Sequence, residues 1–222
     1  MVKKKLGKLD FNQPIKVRFR NHLGRYVWFE EHATPVYREG KLVAVQGIFR
    51  NIDDMVLLQQ QLEYKSTHDA LTNLYNRDFF QSKMDELNQC EVPITVIVAD
   101  LDELKQINDE YGHLMGDQLV REAANCLTAC ADEEMIVARI GGDEFAILLP
   151  NASILQVEQY IKNVQEKMHR DYANYPFSTI QISIGYEYCC SSYGVMEHLL
   201  NEADANMYKI KNMKRDLFTV KG

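Results

Sequence analysis

The chain has 222 residues, 46% hydrophobic and 26% charged, with a net charge of −7. That length allows one sizeable domain plus a smaller piece, and the composition is that of an ordinary soluble globular protein. The acidic balance argues against a general nucleic-acid binder and against contact with an anionic membrane surface, and no apolar run approaches transmembrane length. The basic opening Lys3-Lys4-Lys5 has no apolar stretch behind it, so it does not read as a signal peptide. Five cysteines (Cys90, Cys126, Cys130, Cys189 and Cys190) form no CxxC pair and fit no zinc spacing. Free thiols fit a reducing cytosol, so a cytoplasmic location is expected, with any membrane attachment left to an upstream region.

Residues 15–51 carry a β pattern. Ile15–Phe19 alternates, Arg25–Phe29 is aromatic and β-prone, and Leu42–Val45 precedes Gly47-Ile48-Phe49. Turn residues separate these runs at 21–24 and 38–41, which predicts a three-stranded meander, small for a stable unit by itself. The pattern RxxxGxYVWFE…PVYxEGKLVxVxGxxRNID resembles the C-terminal strands of a PAS sensor domain, without the helical half that would wall a ligand pocket. Residues 52–66 place Ile52, Met55, Leu58 and Leu62 on one helical stripe. The stripe fits a helix packed on its own domain or a two-stranded coiled-coil linker, and the run is too short to decide.

From residue 67 onward helix and strand alternate. Helices are predicted at 76–88, 104–111, 114–130, 153–172 and 195–211. Pro93–Ala99 is apolar on both faces, as a central buried strand requires. Thr179–Cys189 and a short closing run, Leu217–Val220, read as strands. Met135–Ala138 and Phe145–Leu149 flank Gly141-Gly142, which predicts a tight hairpin whose glycines take the positive φ of a type I′ turn. The expected fold is α/β of the α+β kind: a central mixed sheet with a βαββαβ core and flanking helices.

Candidate chemistry gathers around the hairpin, which ends in the carboxylates Asp143 and Glu144. Asp100 lies where the buried strand ends, so it either marks the exit or holds a cation; an N-cap role for the next helix is the ordinary alternative. Asp100 and Asp143 are hard oxygen ligands suited to magnesium. Asn108 and Asp117 flank a helix corner at Gly112-His113. There a carboxylate can accept from the N1–H and 2-amino group of guanine, donors that adenine lacks on that edge. Lys211 and Arg215 share a helix face, and Lys105 follows the acidic strand exit; these cations suit phosphate. No GxxxxGK[ST] loop occurs.

Taken together, these residues resemble the GGDEF family of diguanylate cyclases. The likeness runs through HDALTNLYNR (68–77), DLDELKQINDEYGHLMGD (100–117), RIGGDEF (139–145), SIGY (183–186) and ADANMYKIKNMKRD (203–216). It implies that two GTP become cyclic di-GMP and two pyrophosphates, for bacterial second-messenger signalling. It also implies a homodimer in which each 3′-hydroxyl attacks the other nucleotide's α-phosphate. By position, it places magnesium or manganese, two ions per site, on Asp100, the Leu101 carbonyl, Asp143 and Glu144. Asp143 becomes the proton acceptor. Asn108 and Asp117 meet guanine, His113 lines the nucleotide, and Lys105, Lys211 and Arg215 meet phosphates. Domain boundaries follow: a partial PAS-like segment at 1–51, a linker helix at 52–66 and the catalytic domain at 67–222. A GTP or cyclic di-GMP binding module without activity is the competing class.

The chain departs from the family pattern in places. Leu104 replaces a usual Phe, and Lys214 and Asp216 stand where Gly and Asn are usual. The family's inhibitory product site needs Arg and Asp at positions held here by Asp132 and Met135, so no such site is expected. Asp132-Glu133-Glu134 reads as a solvated acidic turn that would repel a phosphodiester.

Overall fold

Strand β4, Ile94–Leu101, is buried along its whole length, and the sheet is built around it. The structure, a computed structural model, describes residues 13–172 and 181–219. β4 lies between β6 (Glu144–Pro150) and β7 (Ile182–Cys189), and β5 (Ile136–Arg139) pairs with the far side of β6. All three pairings are antiparallel, and the one parallel pairing among the described residues is the isolated bridge between Tyr75 and Ala138. The predicted βαββαβ core is present, with spatial order β5-β6-β4-β7. That order puts the first core strand in the middle, which is why β4 is apolar on both faces.

The two faces of β4 serve different helices. Ile97, Ala99 and Leu101 pack with α3 (Leu104–Tyr111), α4 (His113–Cys130) and α5 (Ile154–Tyr172). Ile94, Val96 and Val98 pack with α2 (Arg77–Leu87) and α6 (Met196–Thr219) through Phe80, Met84, Leu199, Ala203 and Met207. Gly185 of β7 faces α6 so closely that a Cβ there would overlap the backbone of Met207 and Ala203. This is the physical content of the SIGY stretch: a bare backbone lets the helix lie on the strand. Cys126 packs in the core, and burial pushes its thiol up to about 12.

One predicted element is corrected. The closing strand expected at 217–220 is helix through Thr219, and Val220 lies outside the described residues. No Gly or Pro occurs between Met196 and Thr219, so each added residue extends the hydrogen-bonded ladder without a break. β7 is described from Ile182, so the expected start at Thr179 lies outside the described residues.

The chain divides into two units, residues 1–64 and 65–222. The first contains the predicted meander: β1 (Ile15–Arg20), β2 (Tyr26–Arg38) and β3 (Lys41–Asn51), all antiparallel. Asp53 ties this meander to the start of α1 (Asp53–Thr67) by accepting from Trp28 N–H and pairing with Arg25. Ile52 is buried, but α1 itself buries no residue, and Met55, Leu58 and Leu62 of its stripe are exposed.

Candidate functional site

Alternation along β4 continues its inner face from Ile94, Val96 and Val98 to Asp100, the one carboxylate in the row. On α6 the i, i+4 stripe Leu199, Ala203, Met207 continues to Lys211 in the same way. Two apolar ladders that pack on each other therefore end in an ion pair, with Lys211 Nζ donating to Asp100 Oδ1. Asp100 is 6% exposed. It is no helix cap: Glu103 occupies that position before α3, at φ 64°. Burial drives the Asp100 carboxyl up to about 6, against the pull of Lys211, and the neighbouring Asp143 and Asp102 charges push the same way as burial.

The hairpin meets this corner directly. Glu144 is the cross-strand partner of Asp100, so the two side chains share a face. The Asp143 carbonyl accepts from Leu101 N–H at 3.1 Å. The turn differs from the predicted one. Residues 140–143 form a four-residue loop, closed by Ile140 N–H and Gly141 N–H on the Glu144 carbonyl at 3.0 and 3.3 Å. Neither Gly141 nor Gly142 lies in the left-handed region, because a loop of this length reverses the chain without the positive φ of a two-residue turn. Gly141 is needed for close approach instead: a Cβ there would overlap the Glu144 carboxylate, whereas Gly142 opens on free space.

A second support was not foreseen in the sequence. Arg139 donates to the Gly142 carbonyl at 2.8 and 3.3 Å and pairs with Asp69 at 3.0 Å. Asp69 is held in turn by Thr72 Oγ1 at 2.7 Å and by Thr72 N–H at 2.9 Å. Burial would raise the Asp69 carboxyl, but the Thr72 and Arg139 hydrogen bonds outweigh it and hold it below the ordinary value. Tyr75 bridges to β5 through Arg139 N–H and Val137 carbonyl. The HDALTNLY segment thus acts as the brace of the hairpin loop. Asp69 and Arg139 are 70 positions apart, and no local pattern announces such a pair.

The remaining predicted residues divide into two groups. Lys105, Lys211 and Arg215 line one cavity of about 620 Å³, together with Asp102, Asp109 and Lys214. Asn108, His113 and Asp117 lie around the α3–α4 corner and are not among that cavity's described lining residues, and neither are Asp143 and Glu144. Gly112 breaks the helix at φ 85°. The Asn108 amide lies so close to Gly116 that any Cβ there would overlap it, and Asp117 follows, half-buried. His113 is exposed. Asp132 accepts from Glu134 N–H and Met135 N–H at 3.0 and 3.1 Å, the Asx turn expected of a solvated acidic bend.

Asp102 and Lys214 were not singled out as a pair in the sequence. Lys214 Nζ donates to Asp102 Oδ2 at 2.8 Å and to the Ile182 carbonyl at 2.9 Å, and Ser183 Oγ donates to Asp102 as well. The i, i+3 relation of Lys211 and Lys214 was the available signal. Among the described residues no three His, Cys, Asp or Glu side chains form a ready metal cluster. The donor chemistry still fits a divalent cation. A buried carboxylate beside two others needs positive charge, and hard oxygen donors satisfy magnesium or manganese.

Comparison with known proteins agrees with this geometry. Over 171 residues the chain is 30% identical to the cyclic di-GMP phosphodiesterase PdeB of Shewanella oneidensis, a match covering 75% of this chain and 20% of that protein. It is 30% identical over 156 residues to diguanylate cyclase VdcA of Vibrio cholerae, covering 67% and 45%. The chain therefore spans less than half the length of these curated relatives. The coiled coil and GGDEF domain of DgcB from Caulobacter crescentus, solved with c-di-GMP, shares the fold at a TM-score of 0.65 and 24% identity, covering 72% of this chain and 88% of that one. Residues 66–217 match the family model described as "Diguanylate cyclase, GGDEF domain", the span that holds the braced hairpin, Asp100 and the α6 cations, and the chain belongs to that family.

Proposed function

We propose that the chain condenses two GTP molecules into cyclic di-GMP with release of two pyrophosphates. The observation that carries this reading is the meeting of the intact Asp143-Glu144 hairpin with Asp100 at the strand end reached by Lys211. Asp100, the Leu101 carbonyl, Asp143 and Glu144 are the groups to hold magnesium or manganese, two ions per site. When bound, such ions neutralise charge growing on the α-phosphate and on the leaving pyrophosphate. Asp143 accepts the proton of the attacking 3′-hydroxyl. Asn108 and Asp117 read guanine, with His113 along the nucleotide. Lys105, Lys211 and Arg215 hold the phosphates, Lys211 exchanging its Asp100 partner for a phosphate oxygen. Two copies face each other, since one site supplies half the reacting atoms. The N-terminal meander is a PAS-like segment, and α1 is the linker that brings two catalytic units together.

The test is incubation with GTP and magnesium, followed by chromatography for cyclic di-GMP. Product is expected from the unaltered chain and none from a folded Asp143→Ala variant. A second reading, a GTP or cyclic di-GMP binding module, draws support from the likeness to a protein named as a phosphodiesterase. Nucleotide binding without any product at high protein concentration would favour it over synthesis.

A further inference from the structure

Beyond Met207, α6 has no buried apolar residue among those whose burial is described; Met213 is 65% exposed and Arg215 is exposed. The described contacts that hold residues 211–216 to the sheet are polar. Two stand out. Lys211 pairs with Asp100, and one turn later Lys214 pairs with Asp102 and with the Ile182 carbonyl at the start of β7. The Lys214 and Asp102 side chains are 24% and 15% exposed, so this is no loose surface pair. Asp102 is fixed from its other side by Ser183 Oγ, at 2.7 and 3.0 Å from its two oxygens.

We infer that Lys214 is a positioning residue for the phosphate-binding cations. Its grip on Asp102 and Ile182 keeps the last turns of α6 docked on β4 and β7. The inference rests on the proposed function, in which Asp100 turns to a cation and Lys211 leaves it. Lys214 is then a tie that still holds this turn, and with it Lys211 and Arg215, at the cavity. Ordering the helix end in advance lowers the entropy lost when the triphosphate is gripped.

The test uses the full chain with magnesium and two probes, a GTP analogue bridged by an α,β-methylene group and GMP. The variants are Lys214→Met, which keeps the aliphatic stem, Lys214→Arg, Asp102→Asn, and the Lys214→Met/Asp102→Asn double variant. Lys214→Met is expected to weaken the triphosphate analogue by about tenfold while GMP binding moves less than about twofold. Lys214→Arg should recover most of the loss, since it keeps charge and reach. In the Asp102→Asn background the further effect of Lys214→Met should shrink to less than about twofold, as coupled residues require. Equal weakening of GMP would reduce Lys214 to a structural staple and overturn the inference. An undiminished loss in the Asp102→Asn background would mean that Lys214 does not act through Asp102, and would overturn it too. An unaltered chain that fails to bind the analogue would instead refute the proposed function.

Discussion

Asp100 couples the stability of this corner to pH. In the unfolded chain its carboxyl ionises near the ordinary value, and in the fold near 6. Between those values the folded state holds the extra proton, so this contribution favours folding at low pH and is lost as pH rises through about 6. The loss is at most on the order of 3 kcal/mol. Measured without divalent cations, the urea midpoint of the unaltered chain should fall across that window, and Asp100→Asn should flatten the trend. A slope that survives Asp100→Asn unchanged would assign it to another group. In the proposed function Asp117 acts at the same scale, through its acceptor oxygens. Removing them in Asp117→Ala should erase a preference for GTP over ATP on the order of 3 kcal/mol, read from competition binding. ATP competing as well as GTP with the unaltered chain would remove that role.

Two elements meet at backbone distance where Gly185 of β7 faces α6. Ala at 185 must push α6 off β7, because the obstacle is helix backbone and not a flexible side chain. The expected cost is about 3 kcal/mol or more in chemical denaturation. Gly142→Ala, which opens on free space, should change stability by less than about 0.5 kcal/mol. The hairpin brace offers a third element-scale test. Asp69→Asn removes the charge paired with Arg139, and loss of a charge-assisted bond at a half-buried site should cost about 1–2 kcal/mol. The Asp69 carboxyl is held below its ordinary value, so its contribution is present at neutral pH and disappears as pH falls through the folded value. Hydrogen exchange at Gly141 and Gly142 should quicken in the same variant, since Arg139 then holds the loop carbonyl without its own anchor. Unchanged exchange would mean that the Arg139–Gly142 contact stands by itself.

At the scale of the molecule, α1 presents Met55, Leu58 and Leu62 to solvent, each at least 49% exposed. A stripe at near-heptad spacing that no described residue buries is the surface the proposed dimer would use. Specific activity should therefore rise with protein concentration, and deleting residues 1–66 should lower it by removing the tether that raises effective concentration. A truncated monomer working as fast as the full chain at every dilution would break the link between association and turnover.

Local pattern was enough for much of this. Apolar periodicity and turn residues marked the meander, the helices, the buried strand and the βαββαβ order, because each is written in residues close together in sequence. The acidic hairpin, Asp100 and the α6 cations could be singled out for the same reason: residue type and short-range spacing. Tertiary packing decided the rest. It turned Gly141 of the hairpin from a supplier of positive φ into room for Glu144. It set Lys211 against Asp100, 111 positions apart, and joined Asp69 to Arg139 and Lys214 to Asp102 across 70 and 112 positions. Pairs at such separations exist only once the sheet, α6 and the segment before α2 have packed, and no periodicity along the chain encodes which charges will then face each other.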